Sequence, residues 1–157
     1  MRARSATAAM LVTMGLLSAC TSPVEAPVIG TTWQITNIWL EPGEPSGLPG
    51  SAAGRANLVF GETSITGYSS CSAIQGSVSF TKEGEPASAE EADAISFGQV
   101  EIEPPEDNCA SIRTHEQLVE LLSPGSAFDL RHQNDFELIL TQQVEILDRP
   151  AIGLSAV

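Results

Sequence analysis

Cysteine thiols are the groups best suited to covalent chemistry in this chain, and the first of them, Cys20, has the most distinctive neighbourhood. Arg2 and Arg4 give the chain a positive start, and an almost uninterrupted apolar run extends from Ala8 to Leu17 before the small residues that precede Cys20. This order predicts a removable export signal. The apolar run has roughly a dozen residues, fewer than the ~20 that cross the hydrocarbon core of a bilayer as a helix.

The segment Leu17-Ser18-Ala19-Cys20 resembles the lipobox of a bacterial lipoprotein signal. The resemblance implies a signal peptide at 1–19 and diacylglycerol on the thiol of Cys20, usually with a further acyl chain on its new amino group. Two or more acyl chains hold a soluble domain on a bilayer, since each buried methylene contributes about 0.8 kcal/mol. The protein is then expected on the outward face of the cell membrane, or on the outer membrane of a cell with two membranes. A plain secretory signal followed by a cysteine is the alternative.

The charge of the mature chain restricts its partners. All 20 acidic residues follow the signal and two of the seven basic residues lie within it, so the chain from Cys20 onward has five basic residues and a net charge of −15. This balance disfavours nucleic acid and anionic headgroups, because both need Lys and Arg to neutralise phosphate. The membrane is therefore expected as a partner through covalent lipid alone. We interpret the acidity as a means of solubility, with a cationic partner or a divalent ion as the alternative.

Two further cysteines, Cys71 and Cys109, remain in the mature chain. Export places them in an oxidising compartment, where an even pair in a small domain favours a disulfide. A bridge between them closes a loop of about 38 residues, for which the chain-entropy estimate gives roughly 4 kcal/mol of stabilisation. Buried free thiols are the alternative.

Other groups with catalytic or metal-binding chemistry are sparse. The sequence has two histidines, His115 and His132, and lacks the Gly-x-Ser-x-Gly, HExxH and CxxC patterns, so neither a hydrolase triad nor a zinc site is expected. The acidic run from Glu101 to Asn108 offers oxygen ligands for calcium, but Pro104-Pro105 and the missing EF-hand spacing favour an exposed loop. Glu90-Glu91 is interpreted as a solvated pair. No catalytic residue, metal ligand or cofactor is predicted.

The elements that must position these groups are mostly short strands. Alternating apolar runs separated by turn residues predict strands at 32–38, 56–61, 64–68, 77–81, 94–103, 127–131, 136–140 and 144–147. The Pro/Gly-rich stretch 41–54 predicts a long mobile loop, and the acidic stretch 82–93 predicts a solvated hairpin connection. The pattern lacks the strand-helix alternation of a parallel nucleotide-binding sheet.

One short helix is predicted close to the second of these cysteines. Thr114 and Gln117 have the spacing of a capping box, and Glu116 is expected in the first turn, where the helix dipole favours a negative charge. Leucines at 118, 121 and 122 share one face, and Pro124-Gly125 ends the helix. The leucine face is expected to pack on the sheet.

The order of these signals resembles the META/HslJ-like family. The resemblance rests on Gly30-Thr31-Thr32-Trp33, a strand at Leu58-Val59-Phe60, the segment from Ile65 to Gly76 around Cys71, the strand from Ile95 to Ile102 before Cys109, the helix, and closing hairpins near 138–140 and 144–147. It covers most of residues 30–148. Ser70 and Ser72 stand where the family usually has glycine and asparagine.

The resemblance implies an α+β fold, mostly antiparallel β, with about eight strands in a compact sheet or half-barrel and one packed α-helix. The expected organisation is a lipidated tether at 20–30, a domain at 31–149 and a C-terminal tail at 150–157. The implied role is non-enzymatic, in envelope maintenance, stress response or protein interaction, with an unidentified envelope protein as partner. A binding module for a small apolar ligand is the alternative. A lined internal cavity would favour it, and a core filled by Trp33, Phe60, Phe80 and Phe97 would count against it. An enzyme of unknown class is the third hypothesis.

Overall fold

The computed structural model describes residues 24–157, which contain nine strands and one α-helix. Their bounds are β1 Thr32–Trp39, β2 Ala56–Phe60, β3 Ser64–Ser69, β4 Ala73–Lys82, β5 Glu85–Pro86, β6 Ala94–Ile102, α1 Ile112–Leu121, β7 Ala127–Asn134, β8 Glu137–Gln142 and β9 Ala151–Ala156. Most of the predicted strands are therefore present with shifted ends. The segment predicted as a strand at 144–147 is instead part of the loop between β8 and β9.

Eight of these strands form a closed antiparallel barrel. Their order around the ring is β3-β2-β1-β9-β8-β7-β6-β4, and the pairing of β4 with β3 closes it. The two-residue strand β5 pairs with the end of β4. The expected α+β half-barrel is thus wrong, because the described residues form a mostly β, fully closed barrel with one short helix.

The strand β9 accounts for this difference. It occupies the residues expected to be a C-terminal tail, and it lies between β1 and β8, with Leu154 opposite Ile35 on one side and Leu138 on the other. Without β9, both β1 and β8 would present an open edge, as in a half-barrel. Small residues and Gly153 give this strand a weak β-propensity. Gly153 allows β9 to pack closely against the side chain of Trp39, since a Cβ at this position would lie 3.1 Å from the indole ring.

The interior of the barrel is filled by side chains that alternate along the strands. Trp33 and Ile35 on β1 and Leu58 and Phe60 on β2 are fully buried, as a period of two requires for one inward face. Ring contacts continue the packing, with Phe97 and Phe128 meeting edge to face at 5.5 Å between centroids. The buried hydrophobic side chains form one continuous core.

The helix α1 packs over one end of this core. Leucines at 118, 121 and 122 are buried as expected, but the predicted capping box is wrong. The helix begins at Ile112 after Ser111, whose side chain makes no capping hydrogen bond, and Thr114 is buried within the first turn. The backbone N–H of His115 already donates to the carbonyl of Ser111 at 3.2 Å, so Glu116 lies beyond the first turn.

Strand directions define two ends of the barrel. At the end that we call the helix end lie α1, the β1–β2 loop at 40–55, the β3–β4 turn at 70–72 and the β8–β9 loop at 143–150. At the opposite end, which we call the N-terminal end, lie the start of β1, the β7–β8 turn at 135–136 and the end of β9. Function can therefore be assigned separately to each end.

The expected tether is partly folded onto the N-terminal end. Ala26 donates its N–H to the carbonyl of Asp135 at 2.7 Å, Val28 is buried, and Ile29 forms a parallel bridge with Phe60. The indole N–H of Trp33 donates to the carbonyl of Val28 at 3.0 Å. The folded unit therefore begins near residue 26, whereas the sequence predicted a boundary at 31.

Backbone hydrogen bonds hold the β1–β2 loop, which was expected to be mobile, alongside β1. Ile38 donates to the carbonyl of Ser46 at 2.8 Å, and Leu48 donates to that of Thr36 at 3.2 Å. The hydroxyl of Ser51 reaches the carbonyl of Ala110, just ahead of α1, at 3.2 Å. The loop thus joins the first strand to the helix end.

Candidate functional site

The cysteine pair lies at the helix end of the barrel. Cys71 and Cys109 are joined by a disulfide with an S–S distance of 1.95 Å and a Cα–Cα distance of 5.7 Å, which confirms the predicted bridge. It connects the β3–β4 turn to the loop that leads into α1. The third predicted site residue, Cys20, expected to carry the lipid, lies outside the described residues, as does the predicted signal peptide at 1–19.

A buried polar cluster supports the disulfide. The Nδ1 atom of His115 lies 2.9 Å from the hydroxyl oxygen of Ser69 and 3.3 Å from that of Ser72. The Ser72 hydroxyl donates to the carbonyl of Glu103 at 2.7 Å, and the Ser69 oxygen accepts the backbone N–H groups of Cys71 and Ser72. This network fixes the turn that carries Cys71. This network was not predicted from the sequence, although the run of small polar residues around Cys71 was a visible signal.

Serine and histidine are residue types that can form a nucleophile and its general base, but the surroundings of Ser69 and His115 differ from those of a catalytic pair. Ser69 has no exposed surface, and its oxygen already accepts two backbone N–H groups. A nucleophilic serine needs access to substrate and an oxygen free to attack. This contact therefore acts as a structural bond between the end of β3 and α1.

The second histidine and the acidic run take other roles. His132 lies on β7 with its ring 6.1 Å from that of Trp33, edge to face. The acidic residues between Glu101 and Asn108 are exposed, and Asn108 has a positive φ of 60° within the turn before Cys109. Within residues 24–157, no group of three or more His, Cys, Asp or Glu side chains is placed to hold a metal ion.

The centre of the barrel is packed with aromatic side chains. Trp33, Phe60, Phe80 and Phe97, the residues whose burial was expected to disfavour an internal ligand, are at most 5% exposed. An apolar ligand of ordinary size would have to displace them. Binding surfaces must instead be sought on the outside.

The outer surface carries a groove that begins at the helix end, which we call the Trp39 groove. Its volume is about 800 Å³, and its walls come from the end of β1, the outer faces of β7 and β8, and the β8–β9 loop. The lining side chains include Trp39, Leu40, Pro42, Arg131, Ile139 and Leu147. Trp39 is 41% exposed and Leu147 is 98% exposed. A second groove of about 690 Å³, on β3, β4 and β6, is lined mainly by Ser, Thr, Gln and Gly residues.

Polar contacts fix the loop that presents Leu147. The carboxylate of Asp129 on β7 accepts hydrogen bonds from Gln143 at 2.9 Å and from Arg149 at 2.7 Å, so it binds both ends of the loop. Partial burial raises the pKa of Asp129, but the hydrogen bonds from Arg149 and Gln143 and the charge of Arg149 together outweigh it. The pKa of Asp129 therefore lies below its ordinary value. The guanidinium of Arg131 contacts the side chain of Gln133 in the same groove.

Comparisons with known proteins show the fold alone. No protein-family model matches the sequence, and no curated protein matches it. The structure is similar to the NMR structure of a protein from Burkholderia xenovorans, with a TM-score of 0.58 and 14% sequence identity, over 93% of this chain and 99% of that one. No helix within residues 24–157 has the length and apolarity needed to cross a membrane.

Proposed function

We propose that this protein is a lipid-anchored lipoprotein of the outward membrane face, which presents a protein-binding surface for envelope maintenance. The Trp39 groove is the observation that carries this proposal. It is an exposed, partly apolar surface that begins at the helix end of a filled barrel and continues along the outer faces of β7 and β8. A lipid on Cys20 would leave the helix-end part of this groove, at Trp39 and Leu147, away from the membrane.

The side chains of the groove suit a protein partner. Trp39 and Leu147 line the groove together, and Ile146, which precedes Leu147 in sequence, is also exposed. Arg131 and Arg149 lie in the same groove together with three acidic side chains, those of Glu41, Glu44 and Asp148, so the groove presents charges of both signs. Tryptophan and arginine are enriched among residues that dominate protein interfaces, and contiguous exposed apolar groups mark interaction surfaces.

A small ligand bound in the Trp39 groove, and not inside the barrel, is the second candidate. The packed interior disfavours the internal apolar site considered from the sequence. The groove is large enough for a small molecule, but it is open and lined by charged as well as apolar groups. Native mass spectrometry on protein extracted from its own membrane distinguishes the two, because a bound small molecule adds a defined mass.

Site-specific photocrosslinking in the intact envelope tests the proposed partner. A photoreactive residue at Leu147 is expected to give a discrete protein adduct, whereas the same residue at the exposed Glu90, outside the groove, gives none. Trp39→Ala should abolish the adduct, because the indole forms one wall of the groove. Absence of any adduct at position 147 from lipidated, folded protein would count against a protein partner.

Membrane fractionation tests the anchor independently. A Cys20→Ala variant should lose the lipid mass and leave the membrane fraction. If it fractionates like the parent protein, the lipoprotein part of the proposal is wrong, while the crosslinking result at Leu147 keeps its meaning.

A further inference from the structure

We propose that the N-terminal end of the barrel rests on the bilayer, with Phe136 as its principal lipid contact. This inference rests on the proposed lipid anchor at Cys20 and adds a second, non-covalent contact with the same membrane. It also assigns an orientation to the domain.

Three exposed apolar side chains belong to this end. Phe136 is 63% exposed at the β7–β8 turn, Val24 is 83% exposed where the described chain begins, and Val157 is 76% exposed just after β9. Hydrogen bonds join their segments, since Ala26 donates to the carbonyl of Asp135 and Ala156 donates to that of Phe136 at 2.8 Å. The three side chains therefore belong to segments that meet at one end.

The length of chain between the anchor and the barrel favours the bilayer as the occupant. Val24 is four residues after Cys20, a distance of at most about 14 Å for an extended chain. A strand of eight residues such as β1 extends about 26 Å, so the helix end stands much farther from the anchor than the N-terminal end. An anchored barrel thus keeps Phe136 within reach of the lipid surface.

The backbone holds Phe136 in an outward position. Its N–H donates to the side-chain oxygen of Asn134 at 2.9 Å, and its carbonyl accepts from Ala156. The side chain is thus presented by a turn whose backbone is already bonded. Burying it in the membrane interface removes apolar surface from water at little cost in backbone order.

The charges around Phe136 indicate the kind of lipid. Asp135 and Glu137 flank it in sequence, and Glu25 lies beside Val24. Carboxylates repel an anionic membrane surface at low ionic strength. The surface therefore suits zwitterionic headgroups, and we expect anionic lipid to weaken the contact.

Tryptophan fluorescence with brominated lipid tests the contact. Phe136→Trp and the matched control Leu147→Trp are each made in a Trp39→Phe background, so that the buried Trp33 is the other tryptophan present. Both lipidated proteins, with the lipid on Cys20 verified by mass and folding by circular dichroism, are reconstituted into phosphatidylcholine vesicles with brominated acyl chains. Quenching should be several-fold stronger for Phe136→Trp.

Each result decides one part of the proposal. Equal quenching at the two positions, or none at position 136 in verified lipidated protein, overturns the membrane contact while leaving the anchor intact. Absence of lipid on Cys20 overturns the anchor, and this inference with it. Phosphatidylglycerol added to the vesicles should reduce the quenching at low salt, with recovery at high salt; no change would contradict the preference for zwitterionic lipid.

Discussion

The two ends of the barrel are built from different interactions. At the helix end, the disulfide from Cys71 to Cys109 and the buried contacts of His115 fix a turn, a loop and α1 together. At the N-terminal end, backbone hydrogen bonds from Ala26 and Ala156 join both ends of the described chain to the β7–β8 turn. Contacts between side chains thus hold the connections at the helix end, whereas backbone hydrogen bonds hold both ends of the described chain at the N-terminal end.

Both ends also expose apolar side chains, and the two sets lie at different distances from Cys20 along the barrel. A closed barrel has no edge strand to pair with another chain, so recognition must use its ends or its outer face. Phe136 projects from the end nearest the anchor, while Leu147 and Trp39 project from the farther end. We therefore propose lipid as the contact of the first set and protein as the contact of the second.

The largest expected effect concerns the proposed anchor, Cys20, which precedes the N-terminal end in sequence. Cys20→Ser removes the thiol that would carry diacylglycerol, so the protein should shift from the membrane fraction to the soluble one or accumulate as unprocessed precursor. Fractionation with mass analysis measures this. A variant lacking Cys71 and Cys109 serves as the control and should stay in the membrane; equal partitioning of Cys20→Ser would disprove the anchor.

The disulfide at the helix end should dominate stability. Replacing both Cys71 and Cys109 with serine is expected to lower the free energy of unfolding by about 4 kcal/mol, because the 38-residue separation no longer constrains the unfolded chain. Denaturant unfolding of the two proteins measures the difference. A loss below about 1 kcal/mol would mean that this end is held by packing and not by the cross-link.

Removing the buried histidine tests whether the polar cluster contributes independently. His115→Ala should destabilise the protein by roughly 2–3 kcal/mol, since it removes the ring nitrogen that bonds the hydroxyls of Ser69 and Ser72 and leaves a cavity beside the turn that carries Cys71. Glu116→Ala, at the exposed neighbouring position, should change stability by less than about 0.5 kcal/mol. Similar effects of the two substitutions would refute a stabilising role for the cluster.

One residue at the helix end is strained, and relieving it should stabilise the protein. Ser70 has a positive φ of 76°, in the left-handed region that glycine adopts without penalty. Ser70→Gly should raise the free energy of unfolding by about 1 kcal/mol relative to Ser70→Ala, because both remove a buried hydroxyl that has no hydrogen-bond partner among the described residues but Ser70→Ala keeps the strain. Thermal unfolding compares the two variants. A glycine variant less stable than the alanine variant would show that the greater freedom of glycine in the unfolded chain outweighs the relief of strain.

The smallest expected effect concerns the loop of the Trp39 groove. Asp129→Asn removes the ion pair with Arg149. The side chain of Asp129 is 46% exposed and that of Arg149 is 40% exposed, so the free energy of unfolding at neutral pH should fall by less than about 1 kcal/mol. Because the pKa of Asp129 is lowered by folding, its contribution is present above the unfolded pKa of about 3.9 and lost as the pH falls through the folded value. The free energies of unfolding of the parent and the variant should converge as the pH falls through the folded pKa of Asp129. A difference that stays constant with pH would contradict this linkage.

Much of the local structure was predictable because local patterns carry it. The alternation in 32–38 and 56–61 predicted β1 and β2, and the leucines at 118, 121 and 122 predicted the buried face of α1. The helix start was missed, since the spacing of Thr114 and Gln117 imitates a cap that the structure does not use. Patterns that depend on side-chain burial were thus more informative than patterns of capping residues.

The polar cluster and the Trp39 groove were not predictable in the same way. Ser69 and His115 are 46 residues apart, and their contact depends on how α1 packs over the end of the barrel. The groove brings together Trp39, Arg131 and Leu147 from three separate parts of the chain. Such sites depend on strand order, which single-sequence periodicity does not encode.

The sequence by itself predicted the pairing of Cys71 with Cys109, because these two cysteines remain once Cys20 is assigned to the lipid, and two cysteines allow one intramolecular bridge. It also determined the inward faces of most strands, since alternation requires only local geometry. Barrel closure was decided by tertiary structure. Residues 151–156 have little strand propensity, but between β1 and β8 their backbone groups pair on both sides and Gly153 fits beneath Trp39. Closure then determines which side chains meet at each end.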